Sequence, residues 1–414
     1  MKTAICIFED EGFRNLLPLT YLRPVYDLKC GMLTLREKIT KQLTSKDVIL
    51  QVRTSLQKVL TERYPGIPIN KYDADNILFI NGRLLINKKI AKEIKKLDQN
   101  SALVKDGFVV AANLSVDNLR TLLASKEEFL PFHLLNSIKK SEVDCQLVNY
   151  AWDLVNANGN EIVNDFNLLV NKIPKIDSKK YRSVEFLNKN NIFISKGVEI
   201  QPFVFLDASD GPIYIGKNVN IMPHVNIQGP VFIGDNTIVK SRASIYHNTS
   251  ISEVCKVGGE IESSIIHSYS NKQHDGFLGH SYLGSWVNLG AGTNNSDLKN
   301  NYENITVLLN GKNVVTGSQF VGLIMGDHSK TAIGTLFNTG TIVGISSNIF
   351  GAGFPARNIP SFSWGGSAFL RTNDINKSIE IANIVTKRRN VNLSEAEINL
   401  LKEVFESTAH ERRD

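Results

Sequence analysis

One stretch of this chain concentrates residues able to do chemistry. From Tyr269 to Ile305 it reads YSNKQHDGFLGHSYLGSWVNLGAGTNNSDLKNNYENI. Asn271, Lys272 and His274 open it, and Asn288, Asn294, Asn295 and Lys299 surround a Gly290-Ala291-Gly292-Thr293 turn. A histidine titrates near neutrality and can take a proton from an attacking amine. Amide and ammonium groups around it can hold an oxygen-rich ligand. Asp275 follows His274 directly, but neighbours on a strand face opposite ways, so it is not expected to orient that ring. His267 and His280 are the alternative proton acceptors. Arg242, on a preceding repeat, is placed to meet a phosphate.

A second stretch, from Glu9 to Ile39, reads EDEGFRNLLPLTYLRPVYDLKCGMLTLREKI and follows the first strand-like run, TAICIF. A loop with Gly12, Arg14 and Arg23 between strand and helix can hold nucleotide phosphates with its amides and guanidinium groups. Asn81-Gly82-Arg83 follows a later strand, NILFI. Arg14, Arg23 and Arg83 would form an anion-binding cluster or, more blandly, surface charge.

The elements that position these residues show in the periodicity. Cut into sixes from Ile213, the chain reads IYIGKN, VNIMPH, VNIQGP, VFIGDN, TIVKSR, ASIYHN, TSISEV, CKVGGE. The third place is aliphatic throughout: Ile215, Ile221, Ile227, Ile233, Val239, Ile245, Ile251 and Val257. A fixed short repeat marks a stacked solenoid, three short strands to a triangular coil, one inward aliphatic per strand. From Leu323 the sixes resume, with Met325, Thr331, Phe337, Val343 and Ile349 in the third column. Ahead of the solenoid, strands and helices alternate as in an α/β domain with a mainly parallel sheet: helices are expected over Thr34–Leu43, Leu56–Arg63 and Asn87–Leu97. In the junction, Asn156–Asn160 reads as a polar turn and Glu161–Leu169 as a short helix, broken at Pro174. Two closing helices are expected, Asp374–Arg389 and Ser394–Glu411, the second opened by a Ser394/Glu397 capping box. Its Ile398, Leu401 and Phe405 would cover the coil end or a neighbour. The expected organisation is 1–174 α/β domain, 175–191 linker, 192–365 β-helix and 366–414 helices.

The totals set bounds. A chain of 414 residues exceeds one ordinary core. A net charge of +6 favours anionic small molecules over nucleic acid. Cys6, Cys30, Cys145 and Cys255 have no metal-ligand spacing and read as buried thiols of a reducing compartment. No apolar run approaches a membrane span, and the chain opens on a strand, so a cytoplasmic protein is expected.

The hexads resemble the repeat of left-handed β-helix acyltransferases. Gly12, Arg14, Pro18-Leu19-Thr20, Pro24 and Gly31 resemble the opening of sugar-nucleotide pyrophosphorylases. Lys272, His274, Gly279, Asn288 and the GAGT turn resemble the acetyltransferase half of bifunctional uridyltransferase/glucosamine-1-phosphate acetyltransferases. That resemblance implies a homotrimer and acetyl-CoA as donor. It implies His274 as base, with Arg242, Asn271, Lys272, Asn288, Asn294, Asn295 and Lys299 on substrate. For the first domain it implies UTP or dTTP, and Mg²⁺, near Gly12, Arg14, Arg23, Asn81 and Arg83. Gly334, Gly340, Gly344 and Ser346 would leave room for pantetheine along one edge.

Three positions depart from the family pattern. Val25 stands where a lysine would neutralise pyrophosphate, and Arg83 where an aspartate would bind metal. Glu262 replaces a phosphate-binding lysine twelve residues before the histidine. Glu9, Asp10 and Glu11 would also repel phosphate. Two functions therefore stand: acetylation of an amino sugar, with or without nucleotidyl transfer, or a non-catalytic sugar-nucleotide-binding trimer.

Overall fold

The computed structural model describes residues 3–412 except 75, 126, 136, 137, 172–175 and 177–179. Pro174 and part of the expected linker lie outside the described residues. In the first domain a six-stranded sheet runs in the order Val48–Gln51, Thr3–Phe8, Asn76–Asn81, Phe108–Ser115, Ser101–Lys105, Lys139–Glu142. The first three strands are parallel, as expected; Phe108–Ser115 is antiparallel to both of its neighbours. Cys6, Ile7, Phe79 and Ile80 are all fully buried, because helices cover both faces of a parallel sheet and every residue must be apolar. The helices fall at Leu35–Leu43, Thr54–Arg63 and Lys88–Lys95, the first opened by a Thr34/Glu37 capping box.

The junction corrects an expectation. Asn156–Asn160 is not a turn; one 19-residue helix runs Ala151–Leu169. Its polar residues are contacts. Asn158 is buried, accepting from the Gly31 amide (2.7 Å) and donating to the Asn248 carbonyl (2.7 Å), and Gly159 lies flush against the Asn248 side chain. Residues that look like a turn in one dimension are the surface by which this helix grips the solenoid.

The solenoid is a left-handed parallel β-helix. Its third-place residues rotate through three sheets: Ile215, Ile233 and Ile251 on one, Ile221, Val239 and Val257 on the next, Ile227 and Ile245 on the last. All of these are 0% exposed. After the resumption, Met325, Phe337, Val343 and Ile349 return to the same interior. Between the two hexad runs a hairpin, Thr306–Leu309 with Lys312–Val315, projects from the coil.

Each face has a different use. On the first, outward Ile265, Tyr282, Ile324 and Ile342 join one apolar cluster with Leu16, Leu19, Val25, Leu28, Trp152 and Val155 of the first domain. Against the second, the helix Ile375–Lys387 bounds a cavity of about 400 Å³ with Lys330, Asn348 and Trp364. The third face turns outward Ser244, Glu260 and Phe277 in register, and below them Asn294 beside Leu336. The closing helix, Glu395–Ser407, carries the expected capping box but a different apolar stripe. Ala396, Leu400, Leu401 and Val404 pack with Leu56, Val59 and Leu60 of the first domain, while Phe405 meets Phe362 of the last coil at 5.1 Å.

Candidate active site

Of the first-domain residues, Gly12, Asn81 and Arg83 meet around Asp10, whereas Arg14 and Arg23 lie apart from them. Arg83 is fully buried, not surface charge. Its Nε and Nη2 donate to the two oxygens of Asp10 at 2.7 Å each, and its Nη1 donates to Asn149 Oδ1 at 2.6 Å. The Asn81 amide donates to Asp10 as well, at 2.8 Å. Gly12 rests against the Arg83 guanidinium, so the gap a missing side chain leaves in the loop is already filled by a cation. Arg23 points the other way, into the solenoid, where it forms a bidentate pair with Asp327 (Nη1–Oδ1 3.0 Å) and donates to Ser285 Oγ. Of the three arginines only Arg14 is exposed. Two of the acidic residues expected to repel phosphate are themselves paired, Asp10 with Arg83 and Glu9 with Arg53: Glu9 is 0% exposed, 2.6 Å from Arg53 Nη1, and accepts from the Val25 amide. Burial raises its pKa above the usual carboxylate range, and Arg53 opposes that rise.

This arrangement does not fit Mg²⁺. The carboxylate beside Asn81 and Arg83 is Asp10, and both its oxygens are bonded to a guanidinium. No group of three His, Cys, Asp or Glu able to hold a metal occurs among the described residues.

On the solenoid, His274 lies at the corner between the strands Asn271–Lys272 and Phe277–Gly279. It is exposed, and its ring bonds to no described residue. Lys272 points inward instead of toward solvent, in the column place held one coil earlier by Val257. Its Nζ donates to the carbonyls of Gly258 (3.0 Å) and His274 (2.9 Å). Burial lowers its pKa to about 8, against Asp275 and Glu260. Both the ammonium, with three N–H donors, and the amine, with two, can satisfy the two carbonyls. Lys272 therefore braces the corner that carries His274.

The amides have similar structural work. Asn294 accepts from the Phe277 N–H (2.7 Å) and donates to the Gly292 carbonyl. Asn295 bonds both the N–H and the carbonyl of Gly279, each at 3.0 Å. Side-chain amides thus replace ladder bonds where the hexad rhythm lapses. Asn271 and Asn288 are bridged across adjacent coils, and Asn271 Oδ1 is buried without a partner among the described residues. Lys299 donates to the Asn304 carbonyl of its own loop, and Arg242 is exposed at a corner in a left-handed conformation (φ 64°). The four small residues do not share one edge. Gly344 packs against the Ser361 backbone and Gly340 faces Ile305 and Val307, while Gly334, unlike those two, has open space where a side chain would go.

One pair escaped the sequence reading. His280 Nδ1 is 2.8 Å from Asp297 Oδ2, and the ring stacks on Phe320 at 4.7 Å. Two coils earlier at the same corner, His247 Nε2 is 3.4 Å from Glu262. The signal for Asp297 was its spacing of one coil from His280, which places the two residues over one another.

Residues 5–173 match the family model described as sugar nucleotidyl transferase. The chain is 26% identical over 163 residues to a bifunctional sugar-1-phosphate nucleotidylyltransferase/acetyltransferase of Sulfurisphaera tokodaii, covering 34% of this chain and 41% of that one. It is 28% identical over 282 residues to the bifunctional protein GlmU of Methanococcus vannielii, covering 65% and 59%. The chain is thus similar to these bifunctional proteins at 26% and 28% identity. It spans about half the length of those two relatives. A UDP-N-acetylglucosamine acyltransferase structure from Bacteroides fragilis aligns with 56% of the chain at 17% identity and a TM-score of 0.32. The first of these relatives is named as a transferase of both kinds. No helix among the described residues is long and apolar enough to cross a membrane. All four cysteines are free, three of them buried and Cys145 half-buried.

Proposed function

We propose that the solenoid transfers an acetyl group from acetyl-CoA to the nitrogen of an amino sugar, in cytoplasmic sugar-nucleotide synthesis for the cell envelope. The observation that carries this reading is the corner at His274: an exposed imidazole on a backbone fixed by Lys272, beside an outward phenylalanine. A rigidly held but open base suits proton removal from an ammonium or its tetrahedral adduct. Attack of the neutral amine on the thioester carbonyl forms the C–N bond. The proton passes to His274, and collapse of the adduct breaks the C–S bond and releases the thiol. Ile333, 80% exposed, and Leu336, 36% exposed, lie two coils beyond as an apolar edge. That edge supports a homotrimer in which a neighbouring copy and the donor's pantetheine cover it.

For the first domain the bonded Arg83–Asp10 pair supports a second reading, a fold retained without Mg²⁺-dependent nucleotidyl transfer. The test is thiol release from acetyl-CoA against amino sugars, amino-sugar phosphates and nucleotide-linked amino sugars, with native protein and His274→Ala. Turnover abolished in the variant is the expected result; no release with any acceptor rejects acyl transfer.

A further inference from the structure

We propose that the corner carrying His280 is the acceptor-recognition end of this site, and that it selects an acceptor presenting hydroxyl or ammonium donors there and no phosphate. The inference rests on the acyl-transfer reading above. His274 and His280 stand at opposite ends of the strand Phe277–Gly279, whose outer face lies between them. An acceptor whose nitrogen reacts at His274 extends along that face toward His280.

The chemistry of the far corner follows from its hydrogen bonds. The Asp297 carboxylate can only accept, so His280 Nδ1 carries the proton and donates it at 2.8 Å. When the ring is neutral, Nε2 is a lone-pair acceptor, and it bonds to no described residue. The ring is held in place by Phe320, with 18% of the side chain exposed. Glu262 adds a second acceptor group, pairing with Nε2 of His247. The Phe277 ring, folded over Gly279, and the 39% exposed Phe320 supply apolar surface of the kind that covers a sugar's C–H face. The cations near in sequence are turned elsewhere: Lys272 into the coil and Lys299 to its own loop carbonyl. A ligand that offers N–H or O–H groups is matched at this corner, whereas phosphate oxygens would meet acceptors and negative charge.

The experiment uses full-length protein and a matched pair, a free hexosamine and the same hexosamine 1-phosphate, with thiol release from acetyl-CoA as readout. Native protein is expected to favour the free sugar by at least about tenfold in kcat/KM. His280→Asn, which tolerates the left-handed backbone at that position (φ 45°), should raise the acceptor KM about tenfold, with kcat and the acetyl-CoA KM within about twofold. Glu262→Lys should narrow the preference. A native preference for the phosphate ester, or an unchanged acceptor KM in His280→Asn, overturns the assignment. If His280→Asn does not fold, Asp297→Asn is read in its place by the same criterion. Absence of turnover with every acceptor instead rejects acyl transfer, and the assignment with it, and is told apart because no KM exists to compare.

Discussion

The loop after the first strand and the corner at His274 both carry a residue order that resembles a transferase site, yet the structure treats them in opposite ways. In the loop, charged groups are consumed internally: Arg83 by Asp10, Arg53 by Glu9, Arg23 by Asp327. At the corner, the charged group that is consumed, Lys272, is the one that fixes the backbone, and the imidazole is left open. Order along the chain is therefore a weaker sign of function than whether a side chain's bonding capacity is already met. A guanidinium with every donor engaged is architecture; an unpartnered imidazole on a braced turn has capacity to spare.

That contrast can be attacked experimentally. The largest effect is expected from Arg23→Ala. Removing one partner leaves Asp327 buried and unpaired, which costs about 3–5 kcal/mol. Chemical denaturation should show the loss, and Arg23→Ala/Asp327→Ala should recover a good part of it. If Arg23 served a nucleotide instead, stability would hold while nucleotide affinity fell.

Next comes Lys272→Met, which leaves two carbonyls without donors at about 1–3 kcal/mol. The lysine also has a pH signature. Its folded pKa of about 8 lies below the ordinary lysine value of 10.5, so between these pH values the unfolded chain binds more protons. Stability from this group is complete above about 10.5 and declines as pH falls through 8. The native-minus-variant difference in unfolding free energy should therefore grow with pH across that window; a flat difference would falsify the lowered pKa. Asn295→Ala should cost about 1–2 kcal/mol through the two bonds to Gly279. Smallest of all, UTP with Mg²⁺ should leave the thermal midpoint of the native protein unmoved, since the loop's anion space is occupied; a clear rise with dose would reopen nucleotidyl transfer.

Much of the fold was legible because its signals are local and periodic. The third-place column from Ile215 to Val257 is buried without exception, and Ser394 caps the last helix as its spacing to Glu397 implied. What was not legible depends on partners distant in sequence. Asn158 and Gly159 read as a turn because Gly31 and Asn248, which explain them, lie far off along the chain. The same holds for Arg23 and for the stripe of the last helix. Of the candidate site, the sequence named His274 but treated Lys272, Asn294 and Asn295 as ligand contacts. An amide that faces a substrate and one that replaces a missing ladder bond have the same letter, and only coordinates separate them. Asp297 was overlooked for the converse reason: coil stacking, not sequence adjacency, makes it a neighbour of His280.

The packing of the closing helix, Glu395–Ser407, on Thr54–Arg63 also constrains how the molecule is made. Synthesis delivers the earlier helix long before its partner, so Leu56, Val59 and Leu60 emerge with part of their cover still inside the ribosome. The nascent first domain must wait, with an apolar stripe in water, while the whole solenoid is translated and wound. Truncation at the last helix should thus be felt at the opposite end of the chain, as a first domain that binds chaperones and aggregates.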